Sequence, residues 1–203
     1  MDREFPGCPF ERYADDAVIH CDSEAQARSL LAALAERLGS VGLELHPVKT
    51  RIVYCRDGNC KNDYPNTSFD FLGYTFRGWL AKSKRGVYFN SFSPALSGKA
   101  AKRIRERMRM WDIGRWTDAG IEDIAARANP ALRGWWNYYA AFYMSEFKRV
   151  IAHLNDILEK WAVRKYRRFR RSRAKARTWL RRMAERAPDL LYHWTLGVLP
   201  SAG

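Results

Sequence analysis

The charge of this chain is segregated, and that segregation limits what the chain can fold into. Of its 36 Lys and Arg and 22 Asp and Glu, residues 1–92 hold 12 and 12, so the 24 and 10 in residues 93–203 carry the entire net charge of +14. A neutral half joined to a strongly basic half predicts two units, one that packs or does chemistry and one that grips a polyanion. With 203 residues, 47% of them hydrophobic, the chain has apolar surface for one moderate or two small cores. No apolar run is long enough to cross a bilayer, and the opening MDREFPGCPF has neither the basic start nor the apolar centre of a signal peptide. A cytoplasmic protein with no membrane partner is expected. Cys8, Cys21, Cys55 and Cys60 form no disulfide framework. Cys55 and Cys60, with His20 beside Cys21, lack the second tight pair that a zinc site needs.

The neutral half reads as α+β. In ERYADDAVIH, residues 11–20, Asp15 and Asp16 stand between two short apolar runs. On a regular strand neighbouring side chains point to opposite faces, whereas a tight turn lets both carboxylates converge and favours a hard cation between them. An Asp-rich surface turn fits the same spacing. Phe10 and Tyr13 would lie on the strand entering the turn, and Ala17 to His20 on the strand leaving it. Ser23 and Gln26 form a capping box, after which Ala27, Leu30, Leu31, Leu34 and Leu38 recur at helical spacing until Gly39 and Gly42. That helix is expected to cover a sheet face. Further strands are expected at Leu43, Leu45, Ile52 and Tyr54 and at Phe69, Phe71, Tyr74 and Phe76, separated by an exposed loop at 56–68.

The basic half reads as helices. Ser97 is positioned to cap a helix whose inner face is Ile104, Met108 and Trp111 and whose remaining surface carries Lys99, Lys102, Arg103, Arg105, Arg107 and Arg109. Thr117 or Asp118 would open a short helix through Ile121, Ile124 and Ala125. Asn129-Pro130 would start the next, Asn as cap and Pro in the first turn. That helix carries the apolar stripe Leu132, Trp135, Trp136, Tyr139, Phe142 and Tyr143, which reads as core. A ridge follows at Phe147, Val150, Ile151, Leu154, Ile157, Leu158 and Trp161. Residues 164–177 then hold 9 Lys or Arg in 14 and no acid. Such density repels itself unless an anion neutralises it. Tyr166 and Phe169 either anchor this run or stack on bases. His193 beside Trp194 reads as structural.

These residues carry a resemblance. Tyr13-Ala14-Asp15-Asp16, a capped helix, Gly42-Leu43-x-Leu45 with Lys49-Thr50, and Phe69-x-Phe71-Leu72-Gly73-Tyr74 stand in the order of the last part of a reverse transcriptase palm. Arg133-Gly134-Trp135 with Asn137-Tyr138-Tyr139 is similar to the signature of the maturase-specific domain, also called the X domain or thumb. From residue 4 to residue 200 the chain resembles the reverse transcriptase and maturase proteins encoded in group II introns. The resemblance implies a partial palm at 1–92, an antiparallel sheet with the YADD hairpin and a covering helix, followed by an all-α basic thumb at 93–203. It implies that Asp15, and less directly Asp16, hold Mg²⁺, which would activate a primer 3′ hydroxyl and stabilise the leaving pyrophosphate. Tyr13 would lie near the primer terminus and Phe71, Leu72 and Gly73 would support the primer strand. Lys49 falls where the family's fourth palm motif has a lysine, and an ordinary surface lysine fits the position equally.

The family's proteins bind intron RNA, assist its splicing, and copy it into DNA on an RNA template from a DNA primer during retrohoming. For RNA contact the resemblance and the charge together point to Lys99, Lys102, Arg103, Arg133, Asn137, Tyr138, Arg164, Lys165, Arg167, Arg168, Arg170, Arg171 and Arg173. The family's palm takes another catalytic aspartate from an earlier strand, behind the fingers, and nothing before residue 11 supplies either. The chain is therefore expected to be the C-terminal portion of a larger protein and not to polymerise DNA alone. It would act with a separately made N-terminal half, act as a stand-alone RNA-binding maturase-like module, or persist as a truncated mobile-element remnant.

Overall fold

A computed structural model describes residues 5–56, 63–83 and 85–201. They group into two compact units, Met1–Phe71 with Phe76–Phe92, and Leu72–Thr75 with Ser93–Gly203. The first is mixed. Strands β1 (Phe10–Tyr13) and β2 (Asp16–Ile19) make an antiparallel ribbon, followed by helix α1 (Glu24–Gly39). Strands β3 (Ser68–Phe71), β4 (Tyr74–Lys82) and β5 (Tyr88–Leu96) then form a separate sheet in that order.

Helix α1 starts where its cap predicts. Ser23 Oγ accepts from the Gln26 amide at 3.2 Å, and the Gln26 side chain reaches back to the Asp22 amide at 2.7 Å. Its apolar face is thinly covered, only Leu30 being fully buried. The strand expected at 43–54 is absent among the described residues. This stretch bonds locally, Leu43 N to Leu38 O and Thr50 N to His46 O, while Tyr54 N reaches Asn66 O. Alternating residues make a strand only where a neighbouring backbone accepts their ladder, and the single bond of Tyr54 to Asn66 makes no ladder. Of the expected loop at 56–68, and of the cysteines weighed for zinc, residues 57–62 with Cys60 lie outside the described residues.

The second unit holds the hydrophobic core. Helices α2 (Gly98–Met110), α3 (Ile121–Tyr139), α4 (Met144–Ile151), α5 (His153–Lys165), α6 (Arg173–Arg186) and the short α7 (Tyr192–Thr195) converge on Met108, Ile124, Leu132, Phe147, Leu154, Leu158, Trp161 and Leu180. Each is essentially removed from water, and burying such a side chain contributes about 1.5–3 kcal/mol. Ser97 Oγ accepts from the Ala100 amide at 3.1 Å and so caps α2.

Several helix boundaries differ from expectation: the helix expected to open at Thr117 or Asp118 is capped by Gly120, and the one expected to carry Phe142 and Tyr143 ends at Tyr139, leaving Phe142 exposed. Asn129-Pro130 does not begin a helix: α3 runs through it from Gly120, whose amide donates to Asp123 Oδ2 at 2.7 Å. Proline costs the turn before it one bond, and here Asn129 is used elsewhere. Its Nδ2 donates to Leu190 O at 3.0 Å and its Oδ1 accepts from Tyr192 N at 2.8 Å, tying α3 to the C-terminal segment. The ridge at 146–161 is divided at Ala152 into α4 and α5. No helix of the described residues is long and apolar enough to cross a membrane.

Candidate nucleic-acid interface

The β1–β2 turn pairs Tyr13 with Asp16 and leaves Ala14 and Asp15 as its two loop residues. Ala14 has a φ of 52°, a conformation that costs a residue with a Cβ about 1 kcal/mol or more. Tyr13, Asp15 and Asp16 are all exposed. Among the described residues no group of three His, Cys, Asp or Glu lies close enough to hold a metal ion. Two exposed carboxylates without a third ligand do not fit a self-contained Mg²⁺ site. Lys49 is exposed in the turn built on His46, whose Nδ1 accepts its amide at 3.4 Å. Among the described residues it makes no ion pair with either aspartate.

The Leu72-Gly73 turn is built differently. Both residues have positive φ, 50° and 81°, as a two-residue I′ hairpin loop requires, and the turn belongs to the helical unit. Gly73 O accepts from Ser97 N at 2.9 Å, Leu72 O accepts from the Tyr138 hydroxyl at 3.0 Å, and the Tyr74 hydroxyl donates to Tyr138 O. A Cβ at Gly73 would lie 3.2 Å from the Tyr139 ring. Burial raises the Tyr74 and Tyr139 phenols above their ordinary values. Tyr138 thus supports the Leu72-Gly73 turn through its hydroxyl and its carbonyl, and both it and Asn137 beside it are exposed.

On α2, Lys99, Lys102, Arg103, Arg107 and Arg109 are exposed and Arg105 is half-buried. Lys102 pairs loosely with Glu106 at 3.9 Å, an interaction worth little in water. Arg133 is exposed on α3 with its guanidinium over the Tyr192 ring at 5.5 Å.

The run at 164–177 is a corner. α5 ends at Lys165, a 3₁₀ turn covers Arg167–Phe169, and α6 begins after Ser172, whose Oγ accepts from the Lys175 amide at 3.3 Å. The aromatic residues anchor it: Phe169 is buried, and Tyr166 packs edge-on against Trp161, Phe169 and Trp179. The nine cations then divide by task. Lys165 donates to Thr117 O at 2.9 Å and Ala119 O at 2.7 Å, bracing the approach to α3. Arg173 and Arg177 converge on Glu159 of α5 at 2.8 and 2.9 Å. Arg173 also meets Asp156 at 3.3 Å. Arg164 lies over Gly114, where a Cβ would come within 2.6 Å of its Nη1, and Arg168 stacks 4.7 Å from the Phe169 centroid. Arg167, Arg170, Arg171 and Lys175 remain exposed and without an ion pair among the described residues.

Glu159 escaped the sequence reading. It is only 2% exposed, and its signal was available: Asn155 and Glu159, four residues apart, are polar positions set into the apolar ridge of α5. Asn155 holds a second buried junction. Its Oδ1 accepts from Trp194 Nε1 at 3.1 Å and from His193 Nε2 at 2.8 Å, and its Nδ2 donates to Val198 O at 3.1 Å. Because an indole only donates, the shared acceptor must be the amide oxygen, which assigns the proton of His193 to Nε2 and leaves Nδ1 bare. Burial lowers the His193 pKa to about 3.

Two known families match the chain. The family described as reverse transcriptase (RNA-dependent DNA polymerase) matches residues 1–76, and the family described as group II intron, maturase-specific domain, matches residues 101–179. An uncharacterized 91 kDa protein in cob intron from Schizosaccharomyces pombe is 28% identical over 145 residues, covering 64% of this chain and 17% of the relative. The chain thus spans about a sixth of that relative's length. No solved structure matches.

Proposed function

The chain belongs to the group II intron reverse transcriptase and maturase family, and from that premise we propose that its helical unit is an RNA-gripping thumb and its first unit an incomplete palm. One observation carries the reading. After intramolecular partners are assigned, six cations of the basic corner are exposed and without an ion pair among the described residues: Arg164, packed over Gly114, Arg168, over the Phe169 ring, and Arg167, Arg170, Arg171 and Lys175, with no contact of either kind. Structured RNA is held through phosphates, shape and 2′-hydroxyls, which suits a set of exposed cations more than a base-reading pocket. The α2 cations Lys99 and Arg103 extend the same chemistry. Arg133 and Asn137 are secondary contacts in this reading, and Lys165 and Arg173 are struts.

The reading is tested by fluorescence anisotropy with a labelled group II intron RNA at about 0.1 M salt. Arg170→Glu with Arg171→Glu should weaken binding by more than about tenfold, since each attraction to a phosphate is replaced by a repulsion. An unchanged affinity would remove the corner from the interface.

For the first unit, the two carboxylates, without a third metal-holding group among the described residues, support a palm that does not polymerise by itself. A further segment that supplies the missing acid and covers the β1–β2 ribbon, whether joined to this chain or made separately, is favoured by the exposure of that ribbon. It is two-stranded, and its Tyr13 is 64% exposed and Phe10 42% exposed, and such ribbons are marginal in water without a covering layer. Primer extension should be undetectable with this chain alone, should appear on adding a fragment with the family's fingers and first palm aspartate, and should vanish again with Asp15→Ala. Extension by the chain alone would refute this reading.

A further inference from the structure

We infer that Glu159 is a positioning residue that sets the basic corner for RNA, an inference that rests on the RNA-gripping reading above. Among the described residues its carboxylate is the one acid buried beneath the corner, 2% exposed, and it accepts three guanidinium hydrogen bonds: from Arg173 Nε at 2.8 Å, Arg177 Nε at 2.9 Å and Arg177 Nη2 at 3.3 Å. Arg177 is bidentate, the arrangement that fixes direction as well as distance. The two arginines lie one turn apart on α6, so the clamp sets both the rotation of α6 about its axis and its separation from α5. Arg173 and Arg177 raise no competing claim on RNA while they are held.

The geometry on the other side of the clamp gives it its purpose. The residues between the two helices, Tyr166 to Ser172, are held at one end by the Tyr166, Phe169 and Trp179 cluster and at the other by the first turn of α6. Arg170 and Arg171 sit in that span, Arg167 at its start and Lys175 on the first turn of α6. Four flexible cations spaced along a loose segment would each have to be ordered when a phosphate arrives, at a cost in chain entropy. Fixed at both ends, the segment presents them already arranged. The acid also relieves the repulsion that nine cations in fourteen residues would otherwise exert on one another.

Simple charge counting predicts the opposite sign, which makes the inference decisive to test. Glu159→Gln removes a negative charge and frees two arginines, so a purely Coulombic corner would bind RNA more tightly. Positioning predicts weaker binding, by about threefold to tenfold, and a shallower dependence of log affinity on log salt, because fewer phosphates are held together. Asp156→Asn, on a half-exposed residue that meets the outer nitrogen of Arg173 at 3.3 Å and His153 Nδ1 at 3.6 Å, should retain the fold and shift affinity in the same direction by a smaller factor. Both variants are measured in the full chain with the same intron RNA, at a temperature well below their melting points followed by helix circular dichroism. A loss of affinity with a shallower slope, in a variant that is still folded, supports the inference. Unchanged or tighter binding by both variants overturns it. If Arg170→Glu with Arg171→Glu is also without effect, the RNA-gripping reading itself has failed; if that pair weakens binding while Glu159→Gln does not, only the positioning role has.

Discussion

Asn129 separates two accounts of the same residue. As a helix cap it would be replaceable by Asp, which caps as well as Asn does. In the structure it is a tie of α3 to the C-terminal segment, donating through Nδ2 to Leu190 O at 3.0 Å and accepting through Oδ1 from Tyr192 N at 2.8 Å. Asn129→Asp keeps the acceptor, loses the donor, and turns a carboxylate oxygen toward the Leu190 carbonyl. A net hydrogen bond contributes about 1 kcal/mol, and a half-buried acceptor left facing like charge adds roughly 1–2 kcal/mol more. The expected loss is therefore about 2–3 kcal/mol for Asn129→Asp and somewhat more for Asn129→Ala, which strands both partners. For a helical unit of this size that is a fall in melting temperature of roughly 8–15 °C. Urea titration followed by helix circular dichroism at pH 7 measures it directly. Asn129→Asp within about 0.5 kcal/mol of the parent, with Asn129→Ala costing about 1 kcal/mol, is the signature of a cap and would refute the tie.

Two further outcomes follow from buried geometry. Burial depresses the His193 pKa from 6.5 to about 3, so the unfolded chain takes up the proton first; the stability is fully present above about pH 6.5 and is lost as pH falls toward 3, at up to about 1.4 kcal/mol per unit. Urea midpoints at pH 7 and pH 5 should differ accordingly, and His193→Gln should flatten that dependence; equal slopes in parent and variant would contradict it. Gly73→Ala should destabilise the helical unit by about 2 kcal/mol, because the new Cβ meets both an unfavourable φ of 81° and the Tyr139 ring at 3.2 Å. Gly42→Ala, with a φ of 73° and open space around it, should cost only about 1 kcal/mol, and an equal loss at both sites would argue against the docking of the turn on Tyr139.

What could be read from the sequence was what the chain decides locally. The Ser23 and Ser97 caps and the buried Ile104 and Met108 of α2 depend on residues three or four apart, and the 3.6-residue period carries that information. The expected strand at 43–54 depended on a partner backbone that no alternation of Leu43 and Leu45 can announce. Asn129-Pro130 was a sound local signal overridden by partners 61 and 63 residues away. The candidate site divided in the same way. Charge density marked the corner correctly as a feature, but which cations are free was settled by Glu159 and Asp156 on another helix and by the carbonyls of Thr117 and Ala119. Tyr138 stands off the apolar stripe and is exposed, and the bond of its hydroxyl to Leu72 O, 66 residues away in sequence, is one that no local pattern announces.

The claim on which the account rests is that a small set of exposed cations at the α5–α6 corner holds RNA phosphates. The salt dependence of binding measures their number. For intron RNA titrated across about 50–300 mM salt, the slope of log affinity against log salt should be about −3 or steeper, and replacing Arg167, Arg170, Arg171 and Lys175 together by Ala should make it shallower by about 3, one phosphate for each cation removed. A flat response in the parent chain, or a slope that the fourfold replacement leaves unchanged, would contradict it.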